Sequence, residues 1–275
     1  MIKRKICKKG GSCVQYTVDG LVIRESESGE NDKRLVLLTP DRGRISVLAK
    51  GARSLRSKYM NSAALFTYGN YEITERGEHA WLSGASVTES FYGIRNDIER
   101  LALASYVLDV VYELSGEAEG ACDMLRLALN TLFAIANDCK PRPLIKAVFE
   151  FRAMTMSGYL PDLSGCSVCG KPRGSYMYLD VMNGEMKCAE CLHTVELKKQ
   201  PSEDELVSAR ILSPMGSGTL AAARYITEAP LERLLSFTPE ETTVSELARM
   251  SETYLLHHLE RSFPSLEFYR NVMNL

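Results

Sequence analysis

Between Val14 and Glu89 apolar and polar residues alternate over short runs, each broken by turn-forming residues. The runs are "VQYTVDGLVIRE", "KRLVLLT", "RISVLA", "LFTYGNYEITERG" and "AWLSGASVTES", and they predict five strands. Thr39-Pro40-Asp41-Arg42 has proline at the second position of a turn, and Gly43 after it joins the second and third strands as a hairpin. Five short antiparallel strands so close together point to a small barrel of the OB-fold type, although a simple SH3-like barrel fits the same alternation.

After Phe91 the period becomes helical. A helix over Asn96–Ser115 places Ile98, Leu101, Leu108 and Tyr112 near one face, with Gly116 as its C-terminal stop. Cys122–Asn137 is apolar nearly all round and is expected at the centre of a helical domain. Pro143 opens "LIKAVFEFRAMTMSGYL", closed by Gly158 and Pro161. Ser202 with Glu205 and Thr243 with Glu246 have capping-box spacing ahead of further helices. The predicted architecture is α+β and multidomain. A five-stranded barrel occupies residues 1–90 and an all-α domain residues 91–275, with a four-cysteine insert at 162–200.

That insert reads "CSVCGKPRGSYMYLDVMNGEMKCAEC" and sets two C-x-x-C pairs 18 residues apart. One thiolate pair grips an ion from a tight turn, and a second pair arriving from a hairpin completes a tetrahedron around Zn²⁺. Gly170 stands where the first turn needs a left-handed residue, and Asn183-Gly184 marks the hairpin turn. The expected ligands are Cys166, Cys169, Cys188 and Cys191. Four thiolates leave no open position, so a single structural zinc is expected. His193, two residues after Cys191, could replace one thiolate, but a solvent-facing loop histidine is the plainer reading. The H-x-E signature of the zinc deaminases is absent.

Charge alters the picture of the first domain. The net charge of −2 conceals 14 Lys and Arg against 6 Asp and Glu in residues 1 to 60, followed by an acidic remainder. Between Lys33 and Lys58 eight cations (Lys33, Arg34, Arg42, Arg44, Lys50, Arg53, Arg56 and Lys58) meet one acid, Asp41. A polyanion is the natural partner, with a solvated charged face as the plain alternative. Tyr59, Phe66, Tyr68 and Tyr71 lie beside these cations, as stacking residues do in single-strand binders, but strand parity assigns about half of them to the core.

The basic start "MIKRKICKKGG" is followed by no apolar stretch of useful length, and the strongest uncharged apolar run, Leu127–Asn137, is far too short for a membrane span. Cys7, Cys13, Cys122 and Cys139 form no framework and suit a reducing cytoplasm. Catalytic candidates are few. "GSGT" at Gly216–Thr219 opens a helix, but it lacks a Walker lysine and follows no clear strand. His257 and His258 are helix neighbours that cannot share a ligand face. No catalytic residue is expected.

"ESGENDKRLVLLTPDRGRISVLAKGARSLRSKY" resembles the start of the RecO family of bacterial recombination mediators. The resemblance continues through "GIRNDIERLALASYVLDVVYEL" and "FEFRAMTMSGYLPDLSGCSVCG" to the closing "SLEFYR". It implies an N-terminal OB-fold, a helical domain and an embedded zinc ribbon. It also implies binding of single- and double-stranded DNA, annealing of complementary strands, and loading of RecA with RecR onto DNA coated by single-strand-binding protein. The implied setting is the cytoplasm and nucleoid, with no membrane partner. The eight cations above are the implied DNA contacts. An acidic tail of single-strand-binding protein ending in an aromatic residue is the implied protein ligand, for which Arg126, Lys146 and Arg152 are the helical-domain cations to examine. Two readings from other classes compete: a nucleic-acid-processing enzyme with a structural ribbon, and an adaptor that binds only protein. The N-terminal "MIKRKICKKGG" reaches further than the family pattern.

Overall fold

The computed structural model describes the backbone of residues 5–7 and, in full, residues 13–117, 120–174, 176–192 and 211–273. The "KKGG" of the basic start, His193 and the Ser202–Glu205 capping box lie outside the described residues. The chain divides into two compact units, one of residues 1–137 with 265–275 and the other of residues 138–264. The first unit thus keeps three helices that the pattern change at Phe91 assigned to the helical domain.

The five expected strands are all present in unit one: β2 (Cys13–Ser28), β3 (Asp32–Thr39), β4 (Gly43–Ala49), β5 (Tyr68–Arg76) and β6 (His79–Glu89). A sixth, β1 (Lys5–Cys7), precedes them and pairs with the start of β2. The order is β1-β2-β3-β4-β6-β5, and β5 pairs back onto β2 from Cys13 to Leu21, so five strands form a closed ring of pairings. All these pairings are antiparallel except β4 with β6. The ring is possible because β2 is 16 residues long and changes partner. Its first half pairs with β5 and its second with β3, and a register shift between Val22 and Arg24 lies in the second ladder. Tyr16, Val18, Val22, Leu35, Leu37, Val47, Tyr71, Ile73 and Leu82 fill the interior.

A 3₁₀ turn (Tyr92–Asn96) leads to α1 (Ile98–Leu114) and α2 (Cys122–Ala136), and α6 (Pro264–Met273) returns to this unit. Asp97 caps α1 by accepting from the backbone N–H of Glu99 and Arg100, each at 2.9 Å. The buried face of α1 differs from the expected one. Leu103, Val107, Leu108, Val110 and Val111 are inside, whereas Ile98 is 59% exposed. "IERLALASYVLDVVYEL" is apolar on most sides, so periodicity cannot choose the face. Nor does Gly116 cap the helix. Ser115 leaves it extended, and the carbonyl of Gly116 accepts from Arg44 N–H at 3.0 Å, so a tertiary pairing ends α1. α2 is not central either, since Phe133 is 57% exposed.

Unit two is built on α3 (Arg142–Met156), whose residues Leu144–Phe151 are all buried. β7 (Asp162–Cys166), β8 (Met177–Asp180), β9 (Glu185–Cys188) and β10 (Leu212–Met215) form a sheet ordered β10-β8-β9-β7. α4 (Ser217–Glu228) and α5 (Glu241–Leu259) follow. The domain is therefore not all-α, and the insert's sheet takes its fourth strand from beyond residue 200. α5 starts at Glu241, so Thr243 lies inside the helix and the Thr243–Glu246 capping box does not form. Glu246 instead reaches the start of α4.

Inside this unit Lys146 is 4% exposed and pairs with Glu150 at 2.8 Å and Glu252 at 2.6 Å, while the hydroxyl of Ser251 donates to Glu150 at 2.7 Å. A buried charge is tolerable only while paired. Lys146→Ala is expected to cost about 3–5 kcal/mol by stranding Glu150, with a smaller loss when Lys146→Met is combined with Glu150→Leu. The midpoint of urea unfolding measures both.

His258 packs 4.2 Å from the ring of Tyr254 and 5.4 Å from that of Tyr159. Burial first, and His257 second, push its pKa below 6.5, against a backbone hydrogen bond with Val181 that acts in the opposite sense. The unfolded chain therefore takes up this proton at higher pH than the fold does. The corresponding stability is present above pH 6.5 and lost as pH falls through the lower folded value. His258→Phe should flatten the decline of the urea midpoint on acidification; an unchanged slope would assign that decline to other groups.

Candidate nucleic-acid interface and metal centre

The ladder between β3 and β4 sorts the eight expected cations by position. Lys33 pairs with Ala49 at one end of the hairpin and Thr39 with Gly43 at the other. Six residues of strand separate these ends by about 20 Å. Arg42 and Arg44 stand at the turn end, and both are occupied. Arg42 pairs with Glu75 at 3.1 Å and lies 4.2 Å from the ring centre of Tyr16. Arg44 lies 4.1 Å from the ring centre of Tyr112 on α1, and Arg24 lies 3.8 Å from the same ring while meeting Asp109 at 3.5 Å. These arginines hold α1 to the strands. Arg24 and Tyr112 carry no sequence signal for that role, because they become neighbours only in the fold.

The other six gather toward the opposite end, around the β2–β3 turn and the chain from Lys50 to Lys58. Asp32 accepts from the N–H of Gly51 at 2.7 Å, and Asn31 accepts from that of Arg53 at 3.0 Å, so turn and loop are joined. Two of the six are neutralised: Lys33 by Glu25 at 2.9 Å, and Arg53 by Glu27 at 2.9 Å. Lys58 donates to the carbonyl of Ser83 at 3.3 Å and lies 4.7 Å from the Tyr59 ring centre. Arg34, Lys50 and Arg56 are exposed. Among the described residues these three and Lys58 make no ion pair with a carboxylate. Leu55, which lies between Arg53 and Arg56 in sequence, is 90% exposed.

The aromatic set is mostly core. Tyr59, Phe66 and Tyr71 are buried, with the hydroxyls of Tyr59 and Tyr71 donating to the carbonyls of Leu82 and Ser62 at 3.2 and 2.9 Å. Strand β5 begins only at Tyr68, so alternation does not reach Phe66. Tyr68 alone of the four is partly exposed.

In unit two the thiols of Cys166, Cys169, Cys188 and Cys191 all lie within 4.8 Å of one another, a group that can hold a metal ion. Gly170, at φ +72°, makes the first knuckle turn, and its N–H donates to the Cys166 carbonyl at 2.8 Å. The hairpin loop runs through four residues from Val181 to Gly184, longer than the two-residue turn expected, with Gly184 at φ +65°. Burial alone would raise the Cys166 pKa. Backbone N–H groups of Cys188, Cys169 and Val168 outweigh it and bring the thiol down to about 6. Cys191 is pushed up to about 12 by hydrogen bonds to the Cys188 and Cys169 sulfurs. A stabilised thiolate crowded by three more sulfurs is a donor set suited to a soft cation. Arg224 on α4 clamps this region by donating to the carbonyls of Leu163, Ser164 and Pro172 at 2.6–3.2 Å.

"GSGT" does follow a strand, β10. The anion at this helix start is the protein's own, however. Glu246 accepts from Gly216 N–H at 2.9 Å, Thr219 Oγ1 at 2.6 Å and the Tyr176 hydroxyl at 2.5 Å. Of the other helical-domain cations, Arg152 donates to the carbonyls of Ile226 and Thr227, and Arg126 is 3.9 Å from Asp123. Among the described residues no helix is long and apolar enough to cross a membrane.

Residues 14–91 match the family model described as recombination protein O N terminal, and residues 95–267 match recombination protein O C terminal. The chain is 30% identical to the DNA repair protein RecO of Acetivibrio thermocellus, over 92% of this chain and 95% of that protein. It is 25% identical to the DNA repair protein RecO of Thermoanaerobacter sp. strain X514 over 94% and 98%, and 29% identical to that of Anaeromyxobacter sp. strain K over 90% and 93%.

Proposed function

Because the chain belongs to the recombination protein O family of DNA repair proteins, we propose that it is a non-enzymatic recombination mediator whose five-stranded ring is an OB-fold barrel that binds DNA. The observation that supports this best is the group Arg34, Lys50, Arg56 and Lys58, four cations without carboxylate partners at one end of the β3–β4 hairpin. Phosphates exchange their counterions for such cations, and no base-specific contact is needed. Lys33 and Arg53 extend the surface when their glutamates are displaced, and Leu55 offers an apolar contact for an unstacked base. Arg42 and Arg44 act by holding the barrel to α1.

Annealing follows from the same physics. Two strands repel through their phosphates, a cationic surface lowers that barrier, and base pairing supplies the driving force. No hydrolysis is required. Single- and double-stranded DNA, RecR and the tail of single-strand-binding protein are the proposed partners in the nucleoid, and placing RecA on DNA is the proposed outcome. Lys146 and Arg152 are too engaged to receive that tail. One structural zinc held by Cys166, Cys169, Cys188 and Cys191 would fix the two knuckles against each other.

Arg34→Glu, Lys50→Glu and Arg56→Glu combined should weaken binding to all oligonucleotide sequences alike and flatten the salt dependence by about one unit of slope per contact removed. Arg44→Glu should instead lower thermal stability. Unchanged DNA affinity in the triple variant would move the site elsewhere, and nuclease or ATPase turnover by purified protein would favour an enzyme.

Protein purified without added zinc should contain about one zinc per chain. Cys188→Ser should release the metal and lower the unfolding temperature while leaving DNA affinity nearly unchanged, as read by metal analysis and calorimetry. A metal-free protein of full stability would overturn the assignment.

A further inference from the structure

The four cysteines of the metal centre differ in how far each is open to solvent. Cys166 and Cys188 are 3% and 2% exposed, Cys191 is half-buried, and Cys169 is exposed. The chain on either side of Cys169 is open as well, with Ser167, Val168 and Gly170 all exposed. Backbone N–H groups of Cys188, Cys169 and Val168 donate to the Cys166 sulfur and draw charge from it. Attack on an electrophile needs a thiolate that the electrophile can reach. Metal binding supplies four thiolates, and access then ranks them. The Cys169 sulfur lies 3.8 Å from that of Cys188 on the other knuckle. We infer, on the zinc reading above, that Cys169 is the modification site of this centre: an oxidant or alkylating agent reaches its sulfur first, and peroxide converts it to a disulfide with Cys188 that ejects the ion.

The step balances with hydrogen peroxide as oxidant. The Cys169 thiolate attacks one peroxide oxygen, the O–O bond breaks, hydroxide leaves, and the sulfur becomes a sulfenic acid. The Cys188 thiolate attacks that sulfur, the S–S bond forms, and a second hydroxide leaves. Two thiolates lose two electrons, one peroxide gains them, and two protons from solvent turn both hydroxides into water. With two of its four thiolates lost, the tetrahedron no longer closes around the ion, which passes to solvent still divalent. A disulfide bond of about 2.05 Å requires the two sulfurs to approach by about 2 Å. Lys171, two residues after Cys169, pairs at 2.6 Å with Glu190, which directly precedes Cys191. That pair, the β8–β9 ladder and the Arg224 clamp keep the knuckles side by side while the bond forms. A dithiol reductant with zinc restores the centre by exchange.

The test starts from the full chain with its zinc content measured. N-ethylmaleimide is added together with a chromogenic chelator, samples are quenched over time, and the remaining thiols are alkylated with iodoacetamide after denaturation. Trypsin leaves Cys166 and Cys169 in the peptide of residues 153–173 and Cys188 and Cys191 in that of residues 188–198, and fragmentation sorts the four. Cys122 and Cys139, exposed and outside the centre, serve as reference thiols. Cys169 should carry the first label within the centre, with one zinc released for each Cys169 labelled. Hydrogen peroxide in place of maleimide should join the two peptides, leave Cys166 and Cys191 open to alkylation, and yield to dithiothreitol. First labelling of any of the other three ligands, zinc release that maleimide does not accelerate, or a peroxide-induced disulfide confined to one peptide would overturn the inference while leaving the zinc reading intact. A chain that carries no zinc would overturn both.

Discussion

Strand β2 carries the main constraint in unit one, since it must serve two ladders in succession. Its first nine residues pair with β5, and the pairing with β3 begins at Leu21. Closing a ring of only five strands requires a strongly coiled strand, and the register shift near Ile23 supplies part of that coil. Once β2 turns in this way, the β2–β3 turn and the chain after β4 meet at one end of the ring. Unpaired cations collect there because the ring's geometry brings two loops together, even though only one of those loops is strongly basic.

Neutralisation governs most of the remaining charges. Glutamates answer Lys33 and Arg53 at the surface. Tyrosine rings and carboxylates hold Arg24 and Arg42. Glu246 occupies the helix start that resembled an anion site in the sequence. A count of basic residues overstates a binding surface whenever the fold supplies such partners, and these contacts reduce eight candidate cations to four.

The sequence was most legible where chemistry is local. Five strands, the Pro40 turn, the glycines of the ribbon and the four-cysteine cluster all appear where spacing placed them. It was least legible where an element is apolar on every side or where partners are distant. α1 could not be oriented because almost any of its faces is buriable. Thr243 and Glu246 have the spacing of a capping box, but a helix start on another element competes for the same carboxylate. β10 is four residues long and contains Pro214, which no strand pattern favours, so the fourth strand of the ribbon sheet was invisible. The ring of Tyr112 between arginines from two strands is a contact that no window of sequence contains.

Unit one is discontinuous in sequence. Leu266, Tyr269 and Val272 of α6 are buried in it, and Ser265 donates to Asp109 at 2.6 Å, although residues 138–264 belong to the other unit. During synthesis the strands can close as soon as β6 has left the ribosome, but Asp109 on α1 must wait for Ser265, and the rest of α6 for its place in the unit, until the whole second unit has been made. At about 5–20 residues per second, that leaves the surface that receives Leu266, Tyr269 and Val272 uncovered for on the order of ten seconds. The nascent chain therefore passes through a state in which its ring of strands is finished and the place of α6 is still open to a chaperone.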